Sequence, residues 1–144
     1  MKGTVDRIAV IGQGYVGLPL ALAFAKKNPV IGYDINVDRV SQLLSGNDST
    51  QEVDAETLMS ALEAGQNTPF KAGLSLSSDA QKLKNCTVYI VTVPTPIDEF
   101  NAPDLSYLLR ATKTIATVMG KGSIVIFEST VYPGCTEEDC VPVL

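Results

Sequence analysis

Arg7-Ile8-Ala9-Val10-Ile11-Gly12-Gln13-Gly14-Tyr15-Val16-Gly17 is the stretch on which the fold turns. Its first five residues form a short apolar run that stops at Gly12, the pattern of a strand buried on both faces in a parallel sheet. From Tyr15 to Lys27 the pattern becomes helical, with Val16, Leu20, Ala23 and Phe24 on one period, closed by Asn28-Pro29. Between strand and helix lies G-x-G-x-x-G. In that setting the first glycine permits a tight turn, the second lets backbone approach a pyrophosphate, and the third lets the helix pack closely on the sheet.

Working outward, a second strand follows at Val30–Asp34, and Asn36 can cap a helix carrying Val37, Val40, Leu43 and Leu44, ended by Ser45-Gly46. Between Asn47 and Gly73 the sequence predicts one helix, Asp54 to Ala64, flanked by polar loops. A short strand at Leu74–Ser77 and a short helix at Asp79–Asn85 come next. Thr87–Val93 reads as the strongest strand, stopped by Pro94 and Pro96. Asp104 or Ser106 can cap a helix reaching Met119 and closed by Gly120-Lys121-Gly122. Ser123–Phe127 reads as another buried strand, and a further helix starts near Thr136. Strand and helix alternate throughout without an internal repeat. The expected fold is one α/β domain with a doubly wound, mainly parallel Rossmann-type sheet and helices on both faces. Ligands bind such sheets at the carboxyl ends of the strands, so the candidate segments follow Ile11, Tyr33, Val93 and Phe127.

Composition narrows the partners. With 144 residues the chain is long enough for one buried core. Net charge is −5 and no basic run occurs, which argues against DNA or RNA. No segment approaches the roughly 18 consecutive apolar residues of a membrane span. Met1 to Arg7 is short and polar, without a signal-peptide layout, so a cytoplasmic protein is expected. Three cysteines, Cys86, Cys135 and Cys140, make no even disulfide set, and with no histidine in the chain no metal site is expected.

Each strand end has a functional and a bland reading. Asp34 ends the second strand 22 residues after Gly12, where an acid accepts hydrogen bonds from the adenosine ribose. Against a structural turn with a solvated aspartate, the flanking strand and helix favour dinucleotide binding. A 2′-phosphate beside Asp34 would meet like charge, about 4 kcal/mol per unit-charge pair at 4 Å with an effective dielectric near 20, so NAD is expected over NADP. Arg39 either offsets Asp34 or is a solvated helix residue; both readings stay open. Val93-Pro94-Thr95-Pro96 is a rigid loop with a free hydroxyl at Thr95, which suits a pocket wall; standing alone it would read as a strand terminator. Glu128-Ser129-Thr130 makes a polar rim that composition alone cannot tell from an ordinary turn.

Together these residues resemble the UDP-glucose/GDP-mannose dehydrogenase family, in its NAD-binding N-terminal domain. The resemblance runs from Ile8 to Val143 and is carried by I-A-V-I-G-Q-G-Y-V-G-L-P-L at Ile8–Leu20, Y-D-I-N-V-D-R-V at Tyr33–Val40, V-T-V-P-T-P-I-D at Val91–Asp98, P-D-L-S at Pro103–Ser106 and E-S-T-V-Y-P-G at Glu128–Gly134. It implies two-step oxidation of the C6 alcohol of a nucleotide sugar to a carboxylate with reduction of two NAD, through a thiohemiacetal and thioester on a cysteine. It places Gly12, Gln13, Gly14, Tyr15, Val16 and Gly17 at the pyrophosphate, Asp34 and Arg39 at the adenosine, and Val93, Pro94, Thr95 and Pro96 along the dinucleotide. Ser129 and Thr130 fall beside the nicotinamide, where Thr130 matches the threonine that helps order a catalytic water. None of the three cysteines matches the family's nucleophile. That residue, its lysine and asparagine partners and the UDP-sugar pocket are expected beyond Leu144, so residues 1–144 read as the NAD-binding portion of a longer parent, itself a homodimer or larger homo-oligomer. The V-P-T-P-I-D and P-D-L-S segments look most like enzymes acting on UDP-N-acetylhexosamines for bacterial surface polysaccharides. The competing readings are another NAD-dependent dehydrogenase of the hydroxyacid or 6-phosphogluconate type, and a module that senses NAD(H) without chemistry.

Overall fold

The computed structural model describes residues 6–67 and 71–144. The polar lead at 1–5 and part of the polar loop at 68–70 lie outside the described residues. The elements in chain order are β1 (Ile8–Ile11), α1 (Gly17–Ala25), β2 (Pro29–Tyr33), α2 (Val37–Leu44), α3 (Ala55–Asn67), β3 (Gly73–Ser77), a 3-10 turn (Ala80–Leu83), β4 (Val88–Val91), α4 (Ser106–Ala116), β5 (Ile124–Phe127), a π turn (Thr136–Cys140) and a 3-10 turn (Val141–Val143). The strands form one sheet in the order β3-β2-β1-β4-β5, and every pairing is parallel. The doubly wound expectation holds. The order reverses between β1 and β4, which opens a crevice at their carboxyl ends.

Alternation along β1 shows why its residues are all apolar. Ala9 and Ile11 enter a core with Tyr89, Val91, Leu108 and Ile115, on the α4 side. Ile8 and Val10 enter a second core with Leu18, Leu22, Leu43, Leu58 and Leu74, beneath α1, α2 and α3. All four β1 residues are buried. Helices therefore cover both faces.

Several local expectations need correction. In α1 the buried face is Gly17, Leu18, Ala21, Leu22 and Ala25, whereas Val16 and Ala23 are exposed. Gly17 sets that phase, because a Cβ there would lie 1.8 Å from the Gly12 carbonyl oxygen; the helix turns its smallest residue to the sheet, and Ala21 and Ala25 follow on the same side. In α2 only Val40 and Leu43 are buried. The third helix runs to Asn67, past Gly65, because that glycine is a packing residue rather than a stop. The Asp79–Asn85 helix is only the 3-10 turn, capped by Asp79. Strand β4 ends at Val91, since Thr92 turns its hydroxyl onto the carbonyls of Ile11 and Gly12. Strand β5, expected to be buried on both faces, exposes Ile124 and Ile126. It is the sheet edge, and only Val125 and Phe127 pack against a core.

The contact of α3 with β3 gives a prediction in which two effects oppose. Replacing Gly65 by Ala should improve helix propensity by about 1 kcal/mol, but the added Cβ would lie 2.2 Å from the Leu74 carbonyl oxygen. Overpacking against backbone costs about 1–3 kcal/mol, so Gly65→Ala should lower the urea midpoint. Gly120→Ala, where a Cβ would meet nothing within 4 Å, should change it little. A Gly65→Ala variant more stable than the parent would show that helix and strand are not in such close contact.

Candidate functional site

A cavity of about 390 Å³ opens at the carboxyl ends of β1, β2, β4 and β5, and its walls come from all four candidate segments. The turn after β1 supplies Gly12, Gly14, Tyr15 and Val16; that after β2 supplies Asp34; that after β4 supplies Val93, Pro94 and Thr95; and that after β5 supplies Ser129 and Thr130. Gln13, Gly17, Arg39 and Pro96 do not line it.

The glycines divide the work of the turn. Gly12 has φ +93°, and its N–H donates to the Tyr33 carbonyl at 2.7 Å; an L side chain there would be strained. A Cβ on Gly14 would meet nothing within 4 Å, so backbone faces the cavity directly. Gly17 brings the first turn of α1 down on β1, where Leu18 and Leu20 donate their N–H groups back to the Gly14 and Val16 carbonyls, so any backbone donors for an anion come from the glycine turn before the helix. Pro19 falls in the same first turn of the helix, where proline is tolerated.

Gln13 lies between two charged residues. Its side chain is fully buried, donating from Nε2 to the Val10 and Gly12 carbonyls, and it fits because residue 32 is glycine; a Cβ there would be 2.6 Å from Gln13 Oε1. Its N–H donates to Asp34 Oδ2 at 2.8 Å, and its carbonyl accepts from Arg39 Nε at 2.8 Å. Asp34 Oδ1 accepts from the Asn36 N–H at 2.9 Å. One peptide segment of the turn is thus gripped from both ends, and the Asp34 carboxylate is oriented before any ligand arrives.

Arg39 is a correction. The sequence reading has it offsetting Asp34 or lying solvated on the helix. Instead its ion-pair partner is Asp48, 2.8 Å away, with Ser49 Oγ at 3.0 Å. Asp48 also accepts the N–H groups of Thr50, Glu52 and Val53 and the Thr50 hydroxyl. Burial pushes its carboxyl upward, but the hydrogen bonds from Thr50, Arg39 and Val53 outweigh this and hold it at about 2.

The loops after β4 and β5 are stitched together. Ser129 Oγ donates to the Val93 carbonyl and Thr95 Oγ1 to the Thr130 carbonyl, each at 2.6 Å. The Thr95 hydroxyl is therefore engaged, contrary to the expectation that it is free. Pro96 lies outside the cavity, where its carbonyl accepts from the Asp104 N–H; contrary to expectation neither Asp104 nor Ser106 is the N-cap of α4, which is Leu105 without a side-chain bond, and Asp104 Oδ1 accepts the Ser106 N–H just ahead of the helix.

Sequence reasoning missed one wall altogether: Tyr107, Arg110, Ala111 and Thr114 of α4. Their spacing, i, i+3, i+4 and i+7, is a single helical stripe, and that periodicity was the available signal. Thr92, which also lines the cavity, is similarly explained only by its contacts with the first turn. Among the described residues no cluster of three or more His, Cys, Asp or Glu could hold a metal ion, and no helix is long and apolar enough to cross a membrane.

Comparison with known proteins fits this geometry. The family model for the UDP-glucose/GDP-mannose dehydrogenase family, NAD binding domain, matches residues 6–144. The chain is 55% identical over 138 residues to UDP-N-acetyl-D-glucosamine 6-dehydrogenase of Pseudomonas aeruginosa, covering 96% of this chain and 30% of that protein. It is 40% identical over 134 residues to UDP-N-acetyl-D-mannosamine dehydrogenase of Pyrococcus horikoshii, covering 92% of this chain and 30% of that protein. Among solved structures, the UDP-D-ManNAc dehydrogenase of Pyrococcus horikoshii aligns with a TM-score of 0.81 at 41% identity, over 91% of this chain and 30% of the other. The chain thus spans about 30% of the length of these relatives.

The clamp at Asp48 can be tested without ligand. Its carboxyl stands at about 2 in the fold against an ordinary 3.8. A depressed acid contributes stability that is fully present above the unfolded value and is lost as pH falls through the folded one, here about 2 kcal/mol in total. Urea unfolding should show Asp48→Asn less stable than the parent at pH 7, with the gap narrowing between about pH 4 and pH 2. A gap independent of pH would contradict the assignment.

Proposed function

The chain belongs to the UDP-glucose/GDP-mannose dehydrogenase family, whose NAD-binding domain it forms, and from that premise we propose which residues hold the cofactor and what reaction the whole protein performs. Gly12 to Gly17 receive the pyrophosphate, with Gly14 as the point of closest approach and the backbone of the glycine turn as donor. Asp34 accepts from the adenosine ribose, with Arg39 supporting it through Gln13. Val93, Pro94 and Thr95 flank the dinucleotide, Pro96 fixes the loop behind them, and Ser129 and Thr130 stand at the nicotinamide end. The single observation that carries this is the cavity itself, which joins every one of these strand ends around a glycine with open space where its Cβ would be.

The reaction is oxidation of the C6 alcohol of a UDP-sugar, by preference a UDP-N-acetylhexosamine, to the carboxylate for surface polysaccharide. Alcohol and water together yield carboxylate, four electrons and five protons. NAD, when bound, supplies the hydride acceptor, and two equivalents take up the four electrons. What this chain contributes is position: the crevice between β1 and β4 aligns the dinucleotide, and Thr130 at the end of β5 orders the water that the second oxidation consumes. The sugar pocket and the capturing thiolate belong to residues outside these 144. In support, all three cysteines here are buried, and burial pushes the Cys86 thiol up to about 11 against the opposing charge of Arg7; none is a ready nucleophile. A cytoplasmic homo-oligomer is the proposed setting.

Asp34 gives the direct test. In fluorescence titrations the chain should bind NADH in preference to NADPH. Asp34→Ala should weaken NADH by about ten- to hundredfold, as expected for lost hydrogen bonds to a charged acceptor, and should weaken NADPH much less. Equal affinity for the two nucleotides in the parent would contradict the assignment of Asp34 to the ribose.

A further inference from the structure

We propose that Asp48 is a specificity-determining residue of the cofactor site: by holding the Arg39 guanidinium against the loop between α2 and α3, it withholds that cation from a 2′-phosphate and keeps the site for NAD. The inference rests on reading the cavity as the dinucleotide site, and adds to the direct repulsion by Asp34.

An arginine shortly after the ribose acid is the residue type with which folds of this class accommodate the NADP phosphate. This chain has one, five positions after Asp34, and it is not remote. Asp34 and Arg39 bond to the N–H and the carbonyl of the same residue, Gln13, so one residue of backbone separates carboxylate from guanidinium. An arginine free at that point would neutralise Asp34 and offer donors to a phosphate.

It is not free. Nε is spent on the Gln13 carbonyl, one terminal nitrogen on Ser49 and the other on Asp48. The Arg39 side chain is only 10% exposed and does not line the cavity. The decisive feature is that Asp48 cannot follow it. The Asp48 side chain is 1% exposed and held by three backbone N–H groups and a hydroxyl of its own loop, so the carboxylate is a fixed anchor and the guanidinium stays where the anchor is. The guanidinium that does line the cavity, Arg110, comes from α4 on the opposite face of the sheet and is not tied to Asp34 through Gln13.

The test compares NADH and NADPH dissociation constants for four proteins, each checked for folding by thermal melting. The parent should bind NADH and discriminate against NADPH. Asp48→Asn keeps the size of the side chain but loses the charge that retains Arg39; NADPH should tighten about tenfold relative to NADH, the scale of one charge-assisted contact. Arg39→Met removes a support of the Gln13 turn and should weaken both nucleotides, but without selective loss of NADPH affinity, since the arginine does not touch a phosphate while anchored. This second variant carries the test if Asp48→Asn does not fold. The pair Asp48→Asn with Arg39→Met should return the ratio to the parental value, which a merely structural role for Asp48 would not require. An unchanged ratio in a folded Asp48→Asn protein, or a selective loss of NADPH affinity in Arg39→Met, overturns the proposal. A parent that binds neither nucleotide overturns the site reading beneath it.

Discussion

The contact at Gly17, where the absence of a side chain lets the first turn of α1 rest on the Gly12 carbonyl, is the constraint from which the rest of the molecule follows. It fixes the rotation of α1, so that Leu18, Ala21, Leu22 and Ala25 meet the sheet, and it directs the helix N-terminus at the crevice between β1 and β4. The same carbonyl accepts the Thr92 hydroxyl, which ties the neighbouring strand end to the turn. A larger residue at position 17 would therefore disturb the core, the crevice and the approach to β4 at once. The packing of α1 and the shape of the crevice are decided by one small volume.

Charge completes what that contact begins. The glycine turn is held by Asp34 at one end of Gln13 and by Arg39 at the other, and Arg39 is in turn held by Asp48. Each link is short, and the Arg39–Asp48 pair is nearly withdrawn from water, where such bonds are strongest and least screened. An acidic chain can consequently present a turn of backbone donors suited to a phosphate, with its arginine used for support. On the far side, hydrogen bonds between the β4 and β5 loops set Ser129 and Thr130 into a shared rim.

What the sequence made legible was whatever depends on local chemistry. The strands, the fingerprint turn, the Asn36 cap and the four strand ends all depend on neighbouring residues, and all four ends meet at one cavity. What escaped was decided at long range. The phase of α1 follows from a clash that exists only once helix and strand are packed. Arg39 finds Asp48 through a loop whose course no periodicity reports. The α4 wall needed the knowledge of which helix face points at the crevice, and the exposure of Ile124 and Ile126 follows from β5 lying at the sheet edge. Alternation and capping are written in adjacent residues; steric exclusion and ion pairing across elements are not.

The central claim is that the crevice at the carboxyl ends of β1, β2, β4 and β5 is where NAD binds. Amide chemical shifts of the isotopically labelled chain during titration with NADH test it most directly. Saturable changes are expected at Gly12 to Gly17, Asp34, Val93, Thr95, Ser129 and Thr130, together with the α4 stripe at Tyr107, Arg110 and Thr114. Changes gathered instead around the second groove, lined by Arg7, Lys71 and Lys82, with the glycine turn unmoved, would contradict it.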